Sequence, residues 1–118
     1  MFTSLLVNAQ NNSLTPFEKG NKNQSTTYEE CVSFYQLLDT NSDKIEMKTM
    51  GLTDSGKPLH IVVFSENKDF SFNQNKAVLL VNNGIHPGEP DGIDATMMLM
   101  RDLTNAKIKV PKNTIVVA

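Results

Sequence analysis

The segment GIHPGEPDG at residues 84–92 directly follows the apolar run AVLLVNN at residues 77–83. It holds His86 and Glu89 three residues apart, with prolines and glycines around both. Proline restricts the backbone and glycine permits conformations that other residues resist, so the segment predicts a preorganised turn. Such a turn could direct an imidazole and a carboxylate at one point, and these two groups suit Zn²⁺. We therefore interpret His86 and Glu89 as two ligands of a metal ion.

The flanking segments predict that this turn lies at the edge of a sheet. The run at 77–82 is typical of a strand buried on both faces. DGIDATMMLMRDLTN at 91–105 predicts a helix capped by Asp91, with its methionines deep in the core. TIVVA at 114–118 predicts a second strand, parallel to the first across this helix. Ligand sites in open α/β sheets form at the carboxyl ends of strands, which is where His86 and Glu89 would lie.

The preceding part of the chain predicts a helix and two strands. TTYEECVSFYQLLDTNSD at 26–43 has apolar residues at helical spacing, and Thr27 is a suitable cap. Segments 44–52 and 58–65 predict strands joined by a turn, and the second should lie inside the sheet because both of its faces are apolar. The predicted fold class is α/β, with a mixed, largely central sheet flanked by helices. A strand at the end of the chain leaves sheet surface uncovered, so we expect the front part of a longer protein.

Composition and the N-terminus limit the partners and the location. The net charge is −2 without a basic cluster, which argues against nucleic acid and against an anionic membrane surface. Residues 1–9 end in a small residue, Ala9, and resemble the end of an export signal, so we expect a periplasmic or secreted protein. Residues 10–27 are polar and aperiodic, and we interpret them as an irregular leader before a domain at 28–118.

Other interpretations of the same residues remain open at this stage. The turn could be purely structural, with His86 and Glu89 merely exposed. A set of carboxylates, Glu89, Asp91 and Asp94, could instead hold Ca²⁺ or Mg²⁺ through oxygen atoms. His60, within the second predicted strand, is expected to be packed and hydrogen-bonded rather than a ligand. Cys31, on the apolar stripe of the first helix, is expected to belong to the core.

The chain resembles the N-terminal part of the zinc carboxypeptidases over roughly residues 26–118. GIHPGE at 84–89 looks like the first metal-ligand motif of that family, His-x-x-Glu after a strand. TYEECVSFYQLL at 27–38 looks like its opening helix, and MGLTDSGKPLHIVVFS at 50–65 looks like the strand, turn and strand that precede the site. The resemblance implies that His86 and Glu89 are two of three ligands of Zn²⁺.

The resemblance also implies a reaction, hydrolysis of the C-terminal peptide bond of a peptide or protein substrate. The third zinc ligand of the family, its carboxylate-binding arginine, its tyrosine and its catalytic glutamate have no matching positions in this sequence. Arg101, the sole arginine, matches none of them, so no catalytic residue is assigned and the chain alone is expected to be inactive. Two alternatives are a related zinc-dependent acyl-amino-acid deacylase and a metal-free α/β binding domain.

Overall fold

A computed structural model describes residues 13–86 and 88–118. These residues form three helices and four strands. In chain order they are α1 (Pro16–Lys19), α2 (Tyr28–Asn41), β1 (Ile45–Leu52), β2 (Pro58–Ser65), β3 (Ala77–Leu80), α3 (Asp91–Thr104) and β4 (Thr114–Val117). The export signal expected at 1–9 lies outside the described residues. None of the described helices is long and apolar enough to cross a membrane.

The four strands form one mixed sheet in the order β1-β2-β4-β3. β2 pairs antiparallel with β1 and with β4, whereas β3 and β4 run parallel. The predicted α/β class, the interior position of β2 and the parallel pairing of β3 with β4 are therefore confirmed. The helix α3 connects the two parallel strands, since a parallel pair needs a crossover connection.

The main core lies between one face of the sheet and the two long helices, α2 and α3. α2 begins with a capping box between Thr27 and Glu30, which satisfies backbone N–H groups that the first turn would otherwise leave unbonded. The core residues come from both layers: Phe34, Tyr35, Leu38, Ile45, Val62, Phe64, Met97, Met100, Leu103 and Val116. Val63, Ile115 and Val117 form a smaller cluster, and in the described part of the chain no helix residue belongs to it. Both long helices thus cover the same face.

The helix α3 differs in two details from its prediction. Its N-cap is Pro90, whose backbone is already helical, so Asp91 is the first residue of the helix and makes no side-chain cap. Of the four residues in MMLM, Met97 and Met100 are fully buried, but Met98 and Leu99 keep partial exposure. A helix packed against one side of a sheet buries only the residues on that side.

The prediction that β3 is buried on both faces is wrong. Val78 is 50% exposed, Leu79 52% and Leu80 66%. The sheet order explains this exposure, because β4 lies between β2 and β3 and is the only neighbour of β3 among the described residues. A continuous apolar run signals that a strand can be buried, but it does not reveal which elements cover it.

The segment at 10–27 is not irregular throughout. Its described part contains one helical turn, α1, started by a capping box between Thr15 and Glu18 with Pro16 at the first helical position. The sequence TPFE at 15–18 carries this signal, a threonine followed three residues later by glutamate. Arg101 of α3 holds the turn in place, because its guanidinium lies 2.5 Å from the Glu18 carboxylate and donates to the Ser13 carbonyl at 3.1 Å.

The ion pair between Glu18 and Arg101 predicts a pH dependence of stability. The Arg101 guanidinium lowers the pKa of Glu18 below its ordinary value of 4.5. A carboxylate with a depressed folded-state pKa stabilises the fold above pH 4.5, and this contribution is lost as the pH falls through the lower folded-state value. Glu18→Gln keeps the capping box but removes the charge. We expect it to cost about 1 kcal/mol near neutral pH.

Urea denaturation of both proteins at neutral pH and at about pH 3 checks this prediction, since the difference between them should shrink at the acidic pH. A difference that stays constant over this range would show that the Glu18 charge contributes nothing to folding.

Candidate metal centre

The candidate site lies in the loop between β3 and α3. β3 ends at Leu80 and α3 begins at Asp91, so the loop leaves the carboxyl end of a strand that is parallel to β4. Loops at this end of a parallel pair converge, and ligand sites form there in open α/β sheets. The loop that carries His86 and Glu89 therefore lies at the end of a parallel strand, as the sequence predicted.

The structure brings the side chains of His86 and Glu89 together. The Nδ1 atom of His86 lies 3.1 Å from Oε2 of Glu89. The backbone closes the loop in the same region, because the Glu89 N–H donates to the His86 carbonyl at 3.4 Å. Both side chains face solvent, with 67% of His86 and 64% of Glu89 exposed. An ion from solution would thus have free access to both polar atoms.

The spacing of these two atoms fits a shared zinc ion. Nitrogen and oxygen ligands lie about 2.0–2.1 Å from Zn²⁺, and two corners of such a tetrahedron are about 3.3 Å apart. The observed separation of 3.1 Å between Nδ1 and Oε2 is close to that value. An imidazole nitrogen and a carboxylate oxygen are also ligand types that zinc accepts. The separation and the chemistry of the pair are therefore compatible with two zinc ligands, and the same contact is a hydrogen bond or ion pair when no ion is bound.

Three glycines in and next to this loop have different roles. Gly84 has φ +68°, a left-handed conformation that disfavours other residues, and a Cβ there would lie 2.7 Å from the Ile93 side chain. Gly88 also has positive φ, as the sequence predicted. Gly92 does not, because it lies inside α3. A Cβ on Gly92 would instead meet the Asn83 side chain at 2.7 Å, so glycine is required there for close approach.

The other histidine and the cysteine of the chain have structural surroundings, as the sequence predicted. His60 lies on β2 opposite Thr49 of β1, and its Nδ1 is 3.1 Å from the Thr49 hydroxyl. It is hydrogen-bonded, as the sequence predicted. Cys31 packs against the main core, and burial raises the pKa of its thiol to about 11, with the Asp94 charge adding to the effect. A thiol with this pKa is protonated at neutral pH and is a poor metal ligand.

The alternative set of carboxylates does not assemble. Asp94 is only 4% exposed, and its Oδ2 accepts a hydrogen bond from the Thr26 N–H at 3.1 Å, away from the loop. Asp91 is exposed at the start of α3. Among residues 13–86 and 88–118, no three of the histidines, cysteines and acidic residues are grouped to hold a metal ion. The proposed calcium or magnesium site made of Glu89, Asp91 and Asp94 is therefore wrong, and His86 and Glu89 stand as a pair.

Comparison with known families identifies the family of the chain. The fold and the His86–Glu89 pair define an α/β protein with a candidate metal centre at the end of a parallel strand. The family model described as zinc carboxypeptidase matches residues 31–115, and the chain belongs to this family. The match extends from the first turn of α2 into β4 and includes the loop. No match was found among curated proteins. The family resemblance inferred from the sequence is confirmed.

Sequence reasoning overlooked the residues that attach the loop to α3. The Asn83 side chain amide donates to the Thr96 hydroxyl, and that hydroxyl donates to the Gly92 carbonyl at 2.7 Å. In the sequence, Thr96 is a polar residue within an otherwise apolar helical stretch. A threonine hydroxyl inside a helix commonly donates to the carbonyl four residues earlier. Nothing in the sequence indicated Asn83 as its second partner, because the two meet only through the fold of the loop.

Proposed function

We propose that this chain supplies the first two zinc ligands, His86 and Glu89, of a carboxypeptidase that hydrolyses the C-terminal peptide bond of its substrate. The observation that carries the proposal is the 3.1 Å separation of the two ligand atoms at the carboxyl end of β3, in a member of the zinc carboxypeptidase family. Bound zinc would polarise the scissile carbonyl and lower the pKa of a coordinated water to about 7.

The residues of this chain have a limited role in that reaction. His86 would hold the ion through Nδ1 and Glu89 through its carboxylate, and the loop would keep both atoms within reach of the ion. Catalytic zinc sites commonly use three protein ligands, and no third candidate lies beside this pair in the described ranges. We therefore infer weak zinc binding and no peptidase activity by these residues alone. A third ligand and a general base must come from elsewhere in the active protein.

Family membership favours this function over the two alternatives. The matched family model describes carboxypeptidases, which supports peptide hydrolysis rather than acyl-amino-acid deacylation. In a metal-free binding domain the 3.1 Å contact of His86 with Glu89 would be a hydrogen bond or ion pair only, so the family match is what favours the zinc enzyme. Neither alternative is favoured by a specific contact in the structure.

Zinc titration calorimetry at neutral pH tests the ligand assignment. We expect His86→Ala and Glu89→Gln each to weaken zinc binding by roughly tenfold or more. Even the loss of a residue that only hydrogen-bonds to a metal ligand has effects of that size. His60→Ala is the matched control, because it removes the other imidazole of the chain without touching the loop. Equal zinc affinity in His86→Ala, His60→Ala and the unmodified protein would refute the ligand role.

A further inference from the structure

The contact between Asn83 and Thr96 has a defined direction. Thr96 is buried, and its hydroxyl carries a single hydrogen, which it donates to the Gly92 carbonyl at 2.7 Å. The hydroxyl oxygen can then only accept from Asn83, so the side chain NH₂ of Asn83 must face it. Position 83 therefore requires a hydrogen-bond donor. Position 96 requires a hydroxyl that accepts from this donor while it donates its own hydrogen to the Gly92 carbonyl.

This hydrogen bond joins the two ends of the loop. Asn83 stands three residues before His86, and α3 begins at Asp91, two residues after Glu89. The backbone contributes to the same junction, since the absence of a Cβ at Gly92 leaves the space that the Asn83 side chain occupies. The loop thus leaves β3, contacts α3 through Asn83 and then joins the start of α3.

We propose that Asn83 and Thr96 are positioning residues for the His86–Glu89 pair. Fixing both ends of the loop excludes many conformations in which the imidazole and the carboxylate lie apart. The loop therefore loses less conformational entropy when an ion binds. Neither residue touches the ion. This inference rests on the proposed zinc-ligand function.

Thr96→Val tests the inference, because valine has the shape of threonine but no hydroxyl. We expect it to weaken zinc binding by about tenfold, the low end of the effect of outer contacts on metal sites, whereas Thr96→Ser should restore most of the affinity. Thr104→Val is the matched control. Thr104 lies on the same helix and donates to the Met100 carbonyl at 2.7 Å, as Thr96 does to Gly92, but it lies in the last turn of α3.

Asn83→Leu provides a second test that leaves the helix intact. Leucine has a shape close to that of asparagine but neither donates to nor accepts from the Thr96 hydroxyl, and it adds no charge near the pair, so zinc binding should weaken as in Thr96→Val. When this substitution is combined with Thr96→Val, zinc affinity should fall no further than in the weaker-binding single variant, because both substitutions remove the same hydrogen bond. Thermal unfolding of each variant separates this effect from general stability, because Thr104→Val is expected to shift the melting temperature as much without changing zinc affinity.

The outcomes distinguish this inference from the function on which it rests. If His86→Ala weakens zinc binding and Thr96→Val and Asn83→Leu do not, the positioning role is refuted and the ligand role stands. If His86→Ala binds zinc as the unmodified protein does, the proposed function itself fails. If Thr104→Val weakens zinc binding as much as Thr96→Val, the effect is one of helix stability and the positioning role is also refuted.

Discussion

Phe64→Ala should lower the free energy of unfolding by about 3–5 kcal/mol. Phe64 is fully buried on β2 and belongs to the main core, where the sheet meets α2 and α3. Truncation would remove the whole phenyl ring from a position that receives contacts from both layers. A loss of this size is comparable to the whole stability of a small domain, so the variant should be largely unfolded at moderate urea concentration.

Phe72→Ala is the control for this prediction, since Phe72 is 55% exposed and its loss should change stability by about 0.5 kcal/mol or less. Phe64→Leu, which keeps much of the volume, should cost about 1.5 kcal/mol and gives a measurable value even if the alanine variant does not fold. Urea denaturation followed by circular dichroism measures all three. Similar losses for the substitutions at positions 64 and 72 would contradict the described core.

Arg101→Ala should lower the free energy of unfolding by about 3 kcal/mol. The Arg101 side chain is only 7% exposed and contacts the Glu18 carboxylate, the Asp102 carboxylate and the Ser13 carbonyl. Its removal would leave the partly buried Glu18 carboxylate without its cation and would release α1 from α3. The expected loss lies at the lower end for buried pairs because Glu18 keeps 23% exposure, which allows some hydration.

Lys107→Ala is the matched control for Arg101→Ala. Lys107 also contacts the Asp102 carboxylate, at 3.5 Å, but its side chain is 49% exposed, so the substitution should cost about 0.5 kcal/mol or less. The double variant Arg101→Met with Glu18→Gln should be more stable than Arg101→Ala, because it leaves no uncompensated charge. Urea denaturation measures these differences. A loss for Arg101→Ala no larger than that for Lys107→Ala would show that α1 is not held by this ion pair.

Several elements of the fold could be predicted from the sequence because their signals are local. Thr27 and Glu30 form the capping box that starts α2, and the apolar spacing after it places Phe34, Tyr35 and Leu38 in the core. The apolar residues on both faces of β2 indicated an interior strand, and β2 lies between β1 and β4. Each of these features follows from residues close together in the chain.

Features that depend on distant residues could not be predicted in this way. The burial of Arg101 depends on Glu18, which is 83 residues away in sequence. The exposure of β3 depends on the position of β4 in the sheet, and an apolar run carries no information about which neighbours it has. The buried position of Asp94 depends on the N–H of Thr26, a residue distant in sequence. Sequence spacing alone could therefore not show that Asp94 does not join His86 and Glu89.

By itself, the sequence determined the α/β class, the family and the place of the loop that carries His86 and Glu89 between a strand and a helix, because periodicity, caps and Pro/Gly content act over a few residues. Only the tertiary structure decided that Nδ1 of His86 and Oε2 of Glu89 lie 3.1 Å apart, and that Asn83 reaches Thr96. The physical reason is that the backbone path of a loop is set by what its two ends pack against, and those contacts are made by a helix and a strand that only folding brings together.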